Sequence, residues 1–122
     1  MVVPNQKEIG APLLEFLKDK KVHHIEKIWV FLADHFELSE EERNLQKSSG
    51  NEGLFHNRIR WANFYLRKAG LIESARGTGK SKITESGIEL AKEKQTIIDT
   101  DFLMRYPMFK EYRESVLKKK RS

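Results

Sequence analysis

The 122-residue chain has no cysteine, which excludes disulfides, thiolate zinc sites and cysteine nucleophiles. It has only three prolines, and no apolar run approaches the ~18 residues a membrane-spanning helix requires. The N-terminus lacks the apolar core of a secretory signal. A cytoplasmic protein is therefore expected, with no membrane partner. Apolar residues are also sparse, at 39% against a usual ~45–50%, while charged residues reach 34% against a usual ~25%. That balance suits one small domain with a heavily charged surface, and the length excludes a barrel or a full dinucleotide-binding enzyme. The net charge of +5 favours a polyanionic partner, although charge alone is a weak argument.

Periodicity supplies the elements. Residues 5–18 open with Asn5 and Glu8 in capping-box spacing and carry Ile9, Leu13, Leu14 and Leu17 on one face. Pro12 predicts a kink there or a later start. Residues 24–36 place Ile25, Ile28, Trp29, Leu32, Ala33 and Phe36 at three- and four-residue spacing, a strongly amphipathic helix. Ser39 and Glu42 form a second box that starts a short acidic helix towards Gln46. The polar stretch 47–53 reads as a loop. A long helix over 54–69 is stopped by Gly70. Strands around 71–74 and 82–84 flank a glycine-bearing tip that holds Arg76 and Lys80, and Thr84 caps a helix over about 85–94. The expected fold is α+β and mostly α. It is a winged helix-turn-helix, with a three-helix core and a β-hairpin wing over residues 1–95 and a helical C-terminal extension with a basic tail over 96–122.

On the long helix, Phe55, Ile59, Ala62, Leu66 and Ala69 form a buried stripe, with Trp61 and Tyr65 widening its flank. Trp61 and Leu66 are thus expected in the core. The opposite face carries His56, Asn57, Arg60, Asn63, Phe64 and Arg67. Arginine and asparagine can bond bidentately to guanine and adenine edges, and such a face on a helix just before a hairpin fits a recognition helix. Phe64 could meet a thymine or methylcytosine methyl group, or pack on the wing or the extension. Arg58 falls on the buried side and is open to a carboxylate or a phosphate. Around the hairpin tip, Arg76, Lys80 and Lys82 suit contacts along the phosphates or the minor groove, which position a protein without specifying sequence, or simply keep the hairpin soluble.

Two decoys fail on their chemistry. The run Gly77-Thr78-Gly79-Lys80-Ser81 copies the end of a phosphate-binding loop, but the first glycine of that pattern is replaced by Ser74 and a strand-like segment follows. His23, His24, His35 and His56 have no zinc spacing. No cofactor, metal site or catalytic constellation is expected.

The run Phe55-His56-Asn57-Arg58-Ile59-Arg60-Trp61-Ala62, continued by Tyr65-Leu66-Arg67-Lys68-Ala69-Gly70-Leu71-Ile72, resembles the N-terminal domain of Mrr-type restriction endonucleases. So do Leu13-Leu14-Glu15-Phe16-Leu17, Leu32-Ala33-Asp34-His35-Phe36, Leu38-Ser39-Glu40-Glu41-Glu42-Arg43 and Ile83-Thr84-Glu85-Ser86-Gly87. The resemblance covers about residues 5–95. It implies a winged-helix module that binds double-stranded DNA and guides a nuclease to modified DNA. The Asp and Glu-x-Lys or Gln-x-Lys pattern of that nuclease is not found, so the chain itself is not expected to be an enzyme. A nuclease domain or subunit and a second copy of the chain are open as further partners. The alternatives are a protein-interaction or dimerisation winged helix and a stand-alone regulator-like DNA binder.

Overall fold

A computed structural model describes residues 3–46, 53–74 and 77–121. Helix α1 (Gln6–Leu17) starts directly after Asn5, whose backbone N–H donates to Glu8 Oε1 at 3.4 Å. It does not begin later on account of Pro12 but runs through it. The proline removes one backbone donor, and burial of Leu13, Leu14 and Leu17 offsets that loss. A two-residue strand, β1 (His23–His24), precedes α2 (Ile25–His35). His24 Nδ1 caps α2 by accepting from the Glu26 N–H. The Ser39 box is complete, with 3.1 Å and 2.8 Å bonds, but α3 (Glu40–Arg43) ends earlier than expected because Asn44 closes it with bonds to the Glu40 and Glu41 carbonyls. The loop expected over 47–53 lies outside the described residues except for Gly53.

Helix α4 (Leu54–Lys68) ends at Ala69, and Gly70 follows at φ 78°. An added Cβ at Gly70 would lie 2.8 Å from Met108 Sδ. Strands β2 (Ile72–Ser74) and β3 (Lys80–Ile83) form the hairpin, and β1 adds to the far side of β3, giving an antiparallel sheet of order β1-β3-β2. In β3, Ser81 and Ile83 point inwards while Lys80 and Lys82 are exposed. Thr84 joins the hairpin to α5 (Glu85–Lys92): its hydroxyl donates to the Gly70 carbonyl (2.6 Å) and accepts from the Gly87 N–H (3.2 Å). Gly87 is required by close approach, because a Cβ there would sit 2.1 Å from the Leu71 carbonyl oxygen.

The chain then returns across α1, where Ile98 N–H donates to the Lys7 carbonyl at 2.9 Å. Helix α6 (Thr100–Leu103) is capped by Asp99, and α7 (Pro107–Arg121) packs on α4. One core unites these elements, centred on the fully buried Phe55, Phe109, Leu13 and Leu32. The fold is mostly helical α+β, with seven helices among the described residues, a small antiparallel sheet and a C-terminal helix. Its element order is that of a winged helix.

Candidate nucleic-acid interface

Helix α4 is two-sided. Phe55, Ile59, Ala62, Leu66 and Ala69 are buried, chiefly against α1. On the other side Arg60, Asn63, Phe64 and Arg67 come together with Trp61 around a surface recess of about 300 Å³. Each wall has a support. Asn63 Oδ1 accepts from the hydroxyl of Ser81 on β3 at 3.1 Å. Phe64 packs edge-on against Tyr112 of α7, with ring centres 5.6 Å apart. The guanidinium of Arg67 lies over the Phe64 ring at 5.4 Å, and Lys68 Nζ approaches the Phe64 and Tyr112 rings at 5.4 and 5.2 Å.

The remaining expected site residues are placed elsewhere. His56 turns towards α2, where it stacks on Trp29 (4.9 Å, interplanar angle 11°) and lies 3.8 Å from Glu26. Asn57 borders a second recess, shared with Asn5, Lys7, Arg58 and Trp61 near the start of α1. Arg58 Nη1 donates to the carbonyls of Val3 and Pro4, tying the N-terminal segment to α4. Lys80 and Lys82 stand exposed on β3, opposite His24 and Glu73 in the strand register. Arg76 lies outside the described residues.

Trp61 is not a core residue. It is 41% exposed, because it sits roughly a third of a turn from the middle of the buried stripe, where no neighbouring element covers it fully. Its ring meets Phe64 edge-on at 5.6 Å and Tyr65 at 5.8 Å. Sequence reasoning also passed over Ser81, which is 3% exposed. The strand alternation Lys80, Ser81, Lys82, Ile83 carried a signal for it, since a polar residue at an inward position requires a partner.

Chemically, the recess has guanidinium and amide groups between two aromatic walls, while the wing lysines flank Ser81 in β3 but project from the other face of the strand. No cluster of potential metal ligands occurs among the described residues. Nor is any described helix long and apolar enough to cross a membrane.

A three-helix scaffold, a hairpin wing and a polar face on the helix before it define a winged-helix domain. The family model of the Mrr N-terminal domain matches residues 7–93, and the chain belongs to that family, a domain of restriction systems. No curated protein and no solved structure matches the chain at comparable significance. The match spans the N-terminal domain alone, and no catalytic domain is identified in the chain.

Proposed function

We propose that the chain is a double-stranded DNA-binding module that directs the nuclease of a restriction system to its target, including methylated DNA. In this reading α4 enters the major groove with the Arg60, Asn63, Phe64 and Arg67 recess facing the bases. Lys80 and Lys82 follow the phosphates, joined by Arg76 of the wing tip, and His56 and Asn57 flank the contact. Residues 1–95 are the DNA-binding unit, and 96–122 form an extension that braces α4 and adds positive charge. No cofactor takes part, and cleavage belongs to a separate domain or subunit. One observation carries the proposal: Arg60, Asn63 and Arg67 share one recess on the solvent side of α4, and Asn63 is bonded to the strand that bears Lys80 and Lys82.

The test is an anisotropy titration with random duplex DNA at several salt concentrations, followed by matched duplexes that are unmodified, cytosine-methylated or adenine-methylated. Affinity is expected to fall steeply with salt, as phosphate-bound cations are released. Absence of salt-dependent binding sinks the proposal. A second reading, association with a protein or with another copy of the chain, draws on the exposed Met104, Met108 and Leu117 of the extension. Sedimentation over a concentration series tests the self-association branch, where a concentration-dependent rise in mass is expected.

A further inference from the structure

A helix lying in a major groove has a phosphate strand along each flank, because the groove is about 12 Å wide and bounded by both backbones. The solvent face of α4 has two edges to match. At one edge Asn63 bonds to Ser81 of β3, the strand that bears Lys80 and Lys82. Trp61 stands at the other edge, about 160° round the helix from Asn63. The wing supplies cations on the first side alone.

On the second side, Asn57, Arg58 and Trp61 border a recess of about 400 Å³ together with Lys7, near the start of α1. Trp61 is a wall of this recess and of the one that holds Arg60 and Arg67, so the two adjoin. Arg58 is partly buried, and its Nη1 donates to the Val3 and Pro4 carbonyls. Those carbonyls fix the guanidinium in place without neutralising it. Arg43 and Arg105 pair with Asp34 and Glu93, whereas Arg58 has no carboxylate partner among the described residues. Its Nε and Nη2 donors are not used by the carbonyl bonds. A partly buried cation with no counter-charge gains from an anion, and a guanidinium fork matches the oxygens of a phosphate. Lys7 is exposed and adds a second positive charge on a long arm. One acid, Asp99, also borders the recess, where its Oδ1 accepts from the Phe102 N–H at 2.8 Å as the cap of α6. Two cations against one acid leave the recess positive.

We propose that Lys7 and Arg58 form a second phosphate-binding site, which grips the DNA strand on the side of α4 away from the wing. This rests on the DNA-binding reading above and adds to it the residues that hold the opposite backbone.

The experiment selects a preferred duplex from a randomised pool and replaces its phosphates one at a time, on each strand, by neutral methylphosphonates. Single replacements on both strands are expected to weaken wild-type binding by about threefold to tenfold, the worth of one hydrogen bond. Lys7→Ala should lower the salt slope by about one and become indifferent to a replacement on one strand. Lys80→Ala should become indifferent to a replacement on the other strand. Arg58→Gln, checked for folding by thermal unfolding, should ignore the same phosphate as Lys7→Ala. Lys92→Ala, on α5, removes a surface charge elsewhere and should keep the wild-type slope. A wild-type slope in Lys7→Ala overturns the assignment while leaving the DNA reading intact. So does a Lys7-dependent phosphate on the same strand as the Lys80-dependent one, or full sensitivity to that phosphate in folded Arg58→Gln. The Lys7→Ala arm decides the matter should Arg58→Gln fail to fold. Absence of any salt-dependent duplex binding by the wild type overturns both.

Discussion

The solvent face of α4 and the outer face of β3 are built on opposite principles. On α4, Asn63 is held by Ser81, Phe64 by Tyr112, and Arg67 by the Phe64 ring. On β3, Lys80 and Lys82 project from the sheet as long exposed chains. Discriminating one base edge from another requires donors fixed in direction, and side chains already restrained lose less entropy on contact. Neutralising a phosphate requires only a nearby cation, and an unrestrained ammonium can follow the backbone. Under the proposed DNA-binding reading, the helix would do the reading and the wing the holding.

The largest expected effect concerns the helix that carries the reading face. Leu66→Ala removes a fully buried side chain between α1 and α4 and should cost ~2–5 kcal/mol in denaturant unfolding. Trp61→Ala, at a half-covered site, should cost only about 1 kcal/mol despite the larger side chain. Equal losses would show that Trp61 is core after all. Next comes the division of labour itself. Arg67→Ala should cost ~1–3 kcal/mol on a preferred duplex and much less on a scrambled one, relaxing preference at one position. Lys80→Ala should weaken both duplexes alike and lower the salt slope by about one. If Lys80→Ala proves selective and Arg67→Ala uniform, the roles of helix and wing are exchanged.

The smallest effect lies at the outer edge of the sheet. The Lys21 backbone N–H and the His23 side chain hold the Asp19 carboxyl below the usual carboxylate range. A depressed acid stabilises the fold above its unfolded pKa, and that contribution is lost as pH falls through the folded value. Asp19→Asn should therefore flatten the acid limb of the pH–stability curve slightly, as measured by thermal unfolding, and leave neutral-pH DNA binding unchanged.

Much of this organisation is legible in the chain because it rests on local periodicity. The stripe from Phe55 to Ala69, the Ser39–Glu42 box and the strands around a glycine turn all follow from spacings of two to four residues. The N-terminal domain family is legible in the α4 run itself. Features that depend on distant partners are not. Strand β1 is only His23 and His24, with no alternating pattern of its own, and exists because β3 offers it an edge. The Arg58 contacts join residues more than fifty positions apart. Trp61 was misjudged because a helical wheel gives the direction of a side chain but not how far the neighbouring helix extends over it. The Asn63–Ser81 bond links a helix to a strand across eighteen positions, and neither residue announces the other. So α4's polar face could be named from sequence, while the strand residue that supports it could not.

Thr84 has a mechanical consequence. One hydroxyl joins the end of α4 to the start of α5, while the Thr84 N–H donates to the Leu71 carbonyl at 3.1 Å. The hairpin is thereby clamped at its root. The strand β3 is held at its other end too, where the Ile25 N–H donates to the Gly79 carbonyl at 2.7 Å and β1 pairs with Lys80 and Ser81. Ser81 thus sits between two anchors, and the strand that bonds Asn63 is pinned on both sides of that bond.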